Sequence, residues 1–306
     1  MAAFAVIYIV WGSTYLGIRY AIESIPPFLM AGSRSVAAGA LLYAFARRGQ
    51  PGPSLLQWRN AIIAGASMLT IGNGGVTWVE QTIPSGVTAL IVALVPLWMV
   101  VIEWLRPKGN RPRPLVIAGL IVGFAGVAFL ARGKANGVGP VYIGGVIALM
   151  LSSFGWALGS IFSRHASKPA SLLLTVAMQM IGGGGLLLLA GCLMNEPAKF
   201  SFARISFTSA GAWVYLTAMG SLLGFTAYGW LLQVSTPAKV STSAYVNPLI
   251  AVLLGCTIGR EPFSRDLVVA GALIIVAVTL IVRSNSRVAA RRIEVRTVPA
   301  PFSKAV

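Results

Sequence analysis

The sequence predicts an all-α integral membrane protein: ten transmembrane helices arranged as two inverted five-helix repeats. Three observations predict it. Hydrophobic residues make up 57% of the 306 residues and charged residues only 10%, whereas a soluble domain carries roughly 25% charged residues to face water. The apolar residues gather into ten segments close to the ~20 residues that cross a bilayer as a helix, and only helices or closed barrels satisfy every backbone group there. The chain also repeats itself. Gly72, Trp78, Gln81, Pro96 and Leu97 return as Gly224, Trp230, Gln233, Pro248 and Leu249, each pair 152 residues apart.

The first unit, residues 3–131, offers spans at Ala3 to Ile22, Phe28 to Ala46, Trp58 to Val79, Pro84 to Leu105 and Leu115 to Ala131. The second, residues 141–283, offers Val141 to Phe162, Ser171 to Met194, Ala210 to Leu232, Ala238 to Ile258 and Leu267 to Val282. The repeat register holds from Leu115, Val116, Ala118 and Gly119 to Leu267, Val268, Ala270 and Gly271. Upstream the spacing falls to 145, with Trp11, Arg19 and Gly39 matching Trp156, Arg164 and Gly184. The longer loop at Glu196 to Ser206, against Arg47 to Gln57, absorbs the difference. Shared leucines carry little weight in so apolar a chain; shared Trp, Gln and Pro in one register define a repeat.

The joins are short and marked by proline or charge: Pro26 and Pro27, Gln50 to Pro53, Pro107 to Pro114, and Arg260 to Asp266. Residues 284–306 form a basic tail with Pro299 and Pro301, a composition that predicts disorder. Five spans per unit is an odd number, so the second unit enters the membrane from the opposite side, which gives inverted symmetry. With the N-terminus inside, sixteen Lys and Arg lie on the cytoplasmic side and six outside. Without the tail the count is ten against six, so both termini are expected in the cytoplasm.

The net charge of +17 comes from loops and tail rather than from one basic face, so nucleic acid is not the expected partner. Cys192 and Cys256 sit inside apolar segments and His165 is the lone histidine. Neither a disulfide framework nor a metal site follows, and no cofactor is expected. The first ten residues contain no basic residue, so a cleaved signal peptide is not expected either.

Moving a solute through the repeat interface is the foremost task for such a chain. Pro96 and Pro248 fall mid-span, where each frees a carbonyl four residues earlier and marks a hinge or a static kink. Ser241 to Asn247 is the most polar embedded run; Asn73, Thr77, Trp78 and Gln81 form a second set, and Trp11, Ser13, Thr14 and Tyr15 a third. Ser153, Trp156 and Ser160 answer that third set in the second unit. Such groups either bridge helices or face a cavity. Trp11 and Trp156 lie too far from the span ends for an interfacial belt. The glycines at 72, 74 and 75, at 182 to 185 and at 119, 123 and 126 read as close helix packing, with Gly119 and Gly123 also open to a dimer face.

Charges inside the membrane point to function. Arg34 lies about two turns inside the second span, and could pair with Glu23 or Glu80 or bind a substrate carboxylate; Arg19 is near enough to an end to snorkel. Glu23, Glu80, Glu196, Glu261 and Asp266 fall at span ends or loops, with Glu103 near the inner end of the fourth span. No carboxylate is placed at mid-membrane, which disfavours proton-coupled cation antiport. An intramembrane enzyme would need a converging set of His, acid and nucleophile, and His165 stands alone.

The runs Trp11 to Leu16 (WGSTYL), Glu23 to Pro27 (ESIPP), Ala31 to Arg34 (AGSR), Gly72 to Gly75 (GNGG) with Thr77, Trp78 and Glu80, Pro84 to Gly86 (PSG) with Pro96, and Ser243 to Pro248 (SAYVNP) with Ala251 to Gly255 carry a family resemblance. Over residues 3 to 283 the chain resembles the drug/metabolite transporter superfamily with two EamA domains, most closely its YedA-like inner-membrane exporters. The resemblance implies an EamA-type inverted repeat in which spans one to four and six to nine line a cavity. By this similarity Trp11, Ser13, Asn73, Trp78, Trp156, Tyr245 and Asn247 are cavity candidates, and Arg34 matches an arginine common in the second span. Glu261 matches an acid that often follows the ninth span, while Arg106 to Arg111, after the fourth, holds none, a departure from the family pattern.

The expected function is export of small organic metabolites, amino acids or related amphipathic compounds, from a cavity suited to a zwitterion or uncharged solute. The alternatives are a multidrug or cation exporter of the same fold, a facilitator without ion coupling, and a lipid-binding or structural role. The expected partners are a small-molecule substrate and the bilayer of a bacterial-type inner membrane, with a second copy of the chain as an open alternative.

Overall fold

The computed structural model describes residues 2–106, 112–132, 134–135, 139–140, 142–235, 240 and 243–280. The tail, most of the basic loop at 107–111, and the side chain of Tyr245 lie outside the described residues. The main helices are α1 (Ala2–Ala21), α2 (Pro27–Ala46), α3 (Leu55–Val79), α4 (Ser85–Leu105) and α5 (Pro114–Arg132). They continue as α6 (Ile143–His165), α7 (Leu172–Leu193), α8 (Phe207–Leu231), α9 (Ser243–Thr257) and α10 (residues 265–280). Seven are long and apolar enough to cross a membrane, and Pro114–Phe129 and Val246–Thr257 are shorter apolar helices. A two-residue antiparallel ladder, Lys134–Ala135 with Gly139–Pro140, joins the halves.

Helix starts follow local chemistry. Pro27 opens α2 from its first turn, where its missing N–H costs nothing. Ser54 and Gln57 form a capping box before α3, and Ser171 and Ser206 accept the Leu174 and Ser209 N–H groups at the starts of α7 and α8. Pro96 has a larger effect. Regular helix ends at Val92 and restarts at Val95, so α4 is broken at Ala93–Leu94. Pro248 instead lies within a helix that runs on from Ser243 to Thr257.

Two further interruptions stand at matching places. α3 is π-helical over Ala66–Asn73 and α8 over Leu216–Phe225. A π-helix bonds i to i+5 and often marks a functional site.

The packing has a regular plan: α1 lies on α9, α2 on α7, α3 on α6 and α7, α4 on α6 and α9, and α8 on α1 and α2. Renumbering each helix as its counterpart five places along leaves that plan unchanged. Glycine makes the closest approaches. Cβ atoms on Gly65 and Gly183 would strike each other's helix backbones, and those on Gly182 and Gly184 would lie 2.8 Å from Ile62 and 2.9 Å from Ser35. Gly182, Gly183 and Gly184 thus seat α7 between α2 and α3, while Gly185 faces open space. Gly123 packs toward Leu97 and Ala277 within the chain, which is close packing rather than a free dimer face.

Large apolar side chains such as Leu41 (62% exposed), Phe45 (67%) and Leu253 (61%) cover the outside, as suits a surface that faces lipid. Beside a smaller apolar cluster of Ala46, Ala61, Leu174 and Met178, two large ones fill the inside. One holds Ile18, Met30, Val76 and Leu216, the other Ile7, Ala38, Met68, Leu69 and Phe225. On each of α1, α2, α3 and α8, a short stretch separates the two clusters.

Candidate functional site

Those separating stretches carry the polar residues. On α1 they are Trp11 to Thr14, on α2 Arg34, on α3 Asn73, and on α8 Gly220 and Ser221. Arg34 is 5% exposed, and its guanidinium donates to Ser221 Oγ at 2.8 Å and to Asn73 Oδ1 at 2.6 Å. Arg34 therefore ties the two π-helical segments together. Neither expected acid pairs with it: the ion pair among the described residues is Arg106 with Glu103 at the surface.

Beside the arginine stands an aromatic cage. The Trp11 ring lies 5.6 Å from Trp156, edge-on, and 4.9 Å from Tyr228, while Trp156 packs 5.8 Å from Phe225. Trp11 Nε1 donates to the Gly220 carbonyl at 3.3 Å. That carbonyl lies inside the second π-helical segment, so cage and guanidinium meet at neighbouring residues, Gly220 and Ser221.

Other candidates are engaged elsewhere. Ser13 Oγ contacts the Ile9 and Val10 carbonyls and lies 2.5 Å from the Tyr215 hydroxyl, which stitches α1 to α8. With its amide oriented to satisfy its neighbours, Asn247 donates toward the carbonyls of Ser243 (3.2 Å), Ile7 (3.1 Å) and Tyr8 (3.2 Å), binding α9 to α1. Trp78 is 38% exposed and its repeat partner Trp230 is 47% exposed, so neither is packed into the cage. The structure thus brings together Trp11, Arg34, Asn73 and Trp156, and adds Ser221, Phe225 and Tyr228.

Three carboxylates occupy one end of the bundle. Glu80, the first residue after α3, is 0% exposed and neither of its oxygens has a hydrogen-bond partner. Burial, reinforced by Glu261 and opposed by Arg19 and Arg34, pushes its carboxyl well above the ordinary carboxylate range. The sequence places Glu80 at a span end, and there the bundle encloses it, with Arg19 donating to its backbone carbonyl at 3.0 Å.

The other two close that end. Glu196, after α7, accepts the Phe28 and Leu29 N–H groups at 3.2 and 2.8 Å at the start of α2. Glu261, after α9, accepts the Ser85 and Gly86 N–H groups at 2.7 and 3.1 Å at the start of α4. Each carboxylate thus satisfies two orphan donors at a helix N-terminus, where negative charge is favoured. Each also follows a left-handed residue, Asn195 (φ 57°) or Arg260 (φ 52°), and these two are the positive-φ non-glycine residues among those described. Nothing in the local sequence of Glu196 announces this role; its target is 167 residues away.

These features define the class: a polytopic helical membrane protein with an internal polar and aromatic site. The EamA-like transporter family matches residues 1–132 and 143–283, and the chain belongs to that family. It is accordingly a transporter-family membrane protein rather than an enzyme. An uncharacterized inner membrane transporter of Escherichia coli (strain K12), YedA, is 37% identical over 277 residues, covering 90% of this chain and 88% of the relative. A probable amino-acid metabolite efflux pump of Salmonella typhimurium is 25% identical over 284 residues, covering 87% and 91%. A solved crystal structure aligns with a TM-score of 0.64 at 22% identity, over 96% of this chain and 98% of the other; that likeness concerns the fold alone.

Proposed function

We propose that the chain exports small organic metabolites, amino acids or related amphipathic compounds, by alternating access between two inverted five-helix repeats, residues 3–131 and 141–283. The observation that carries this reading is the polar layer in which Arg34 bridges the π-helical segments of α3 and α8 beside the Trp11 and Trp156 cage. A site held by both halves changes when the halves rock against each other. The repeat reading is supported by the packing plan, by the matched π-helical segments and by the two family matches. The substrate-binding set is Trp11, Arg34, Asn73 and Trp156, with Pro96 and Pro248 as hinges. Ser13 and Asn247 hold the lining helices in place, and Tyr245 and Trp78 remain candidates for another state of the cycle. The Escherichia coli relative supports a bacterial inner membrane, and the distribution of Lys and Arg between alternate loops supports both termini in the cytoplasm. The Salmonella typhimurium relative supports amino-acid metabolites as cargo.

Counterflow of a labelled panel in proteoliposomes, with and without an imposed pH gradient, tests this. Carriage that ignores the gradient identifies a facilitator. Carriage that rises with it identifies ion coupling. Failure of every solute, including organic cations, sinks the transport reading. A cation exporter is the second reading, favoured by the unpartnered carboxylate of Glu80; Glu80→Gln would then abolish drug efflux.

A further inference from the structure

Arg34 presents a buried charge with no anion against it. Its hydrogen-bond partners, Ser221 Oγ at 2.8 Å and Asn73 Oδ1 at 2.6 Å, are both neutral, and its Nε has no partner. A guanidinium offers five N–H donors in a planar fork. The charged group nearest in influence is Glu80, whose oxygens contact no donor and which forms no ion pair with Arg34. Holding a cation inside a membrane bundle without a counter-ion is costly, and such a residue is retained where function needs it.

The surroundings complete a receptor. Asn73 and Ser221 are both able to donate as well as accept, so each can turn from the guanidinium toward a docked anion. On the same level, Trp11 reaches the Gly220 carbonyl, and a Cβ on Gly220 would lie 3.0 Å from Thr14 Cγ2 and 3.9 Å from an Arg34 nitrogen. Glycine there lets α8 approach Thr14 of α1 closely beside the guanidinium, which sets cage and guanidinium on one level.

We propose that Arg34 docks a carboxylate of the transported solute, with the apolar remainder of that solute lying against the Trp11, Trp156 and Tyr228 rings. This rests on the transport reading above. One guanidinium flanked by neutral groups matches a singly charged planar anion, and its fork matches carboxylate geometry with two parallel hydrogen bonds. Docking then supplies the missing counter-charge between two π-helical segments, one from each half. The bound solute thereby contacts the parts that move.

The test compares acids with their own carboxamides. Full-length protein in liposomes is assayed by counterflow of labelled leucine, phenylalanine and hexanoate, with competition by leucinamide, phenylalaninamide and hexanamide; a neutral sugar and an organic cation complete the panel. The expected result is carriage of at least one acid, with its carboxamide competing about tenfold or more less well, the size expected when charge-assisted hydrogen bonds are lost. In Arg34→Gln that preference should vanish, and in Arg34→Lys a part of it should return. A carboxamide that competes within about twofold overturns the proposal, as does a preference that survives in Arg34→Gln. If the variant does not fold, the comparison in the unaltered protein decides alone. Carriage of only the cation or the sugar overturns the proposal while leaving transport intact. Carriage of nothing removes the transport reading too.

Discussion

Glu261→Gln is the most informative single perturbation at the closed end of the bundle. In the native chain one carboxylate receives two backbone N–H groups, from Ser85 at 2.7 Å and Gly86 at 3.1 Å. A glutamine keeps the shape but offers only one acceptor oxygen, and turns an NH2 group toward the other N–H. One buried donor is left unmet, at about 1–3 kcal/mol, and the loss of charge at a helix N-terminus adds about 0.3–1 kcal/mol. Every ~1.4 kcal/mol is tenfold, so opening at this end should become about ten to several hundred times more populated. Thr88, 0% exposed in the first turn of α4, is a reporter of that opening. In a background with Cys192→Ser and Cys256→Ser, the rate at which a membrane-impermeant maleimide modifies Thr88→Cys tracks the open population. The expected rise in Glu261→Gln is at least about tenfold. A rise below about twofold, in both Glu261→Gln and Glu261→Ala, would refute the idea that this carboxylate holds the end shut.

Other outcomes follow from the same contacts. Arg260→Asn should raise the melting temperature, because asparagine tolerates the left-handed backbone (φ 52°) that costs other residues about 1–2 kcal/mol. Gly183→Ala should lower it, since the new methyl would meet the backbone of Gly65, and overpacking costs about 1–3 kcal/mol; an unchanged melt would contradict the packing described. Asn247→Ala should lose its links to the Ile7 and Tyr8 carbonyls and reduce thermal stability along with flux, so flux lost at full stability would argue for direct contact with solute. For Glu80 the sign is set by a pKa raised on folding. The folded state keeps a proton that the unfolded state releases, so stability falls as pH rises above the ordinary carboxylate range. Melting curves across that range should flatten in Glu80→Gln.

Much of this was legible in the sequence, for physical reasons. The spans emerge because hydrocarbon demands about 20 apolar residues per helix: Phe28 to Ala46 is expected and Pro27–Ala46 is found. Pro96 was legible as a break because proline lacks the N–H its helix needs. The facing of side chains was not. α3 is apolar nearly all round, so no stripe marks its inner side; Asn73 bonds Arg34 while Trp78 stays partly exposed, with nothing local to separate them. The π-helical stretches have no periodic signature either, although both fall where small residues are dense, Gly72 to Gly75 and Gly220 to Gly224. Ser221 escaped notice because its importance comes from Arg34, 187 residues away. The burial of Glu80 was not legible for a related reason: the span end is visible in sequence, but the helices that enclose it come from distant parts of the chain.

The two carboxylate clasps at the starts of α2 and α4 also bear on ancestry. Both acids, Glu196 and Glu261, belong to the second half, and both receiving turns, at Phe28–Leu29 and Ser85–Gly86, to the first. A hook on one half and an eye on the other fit only as a mixed couple. Two copies of the first half would bring four sockets and no hooks. Two copies of the second would bring hooks alone. Expressed as separate polypeptides, the halves should therefore recover each other in preference to themselves, and the covalent link between them would serve to fix stoichiometry rather than to choose the partner.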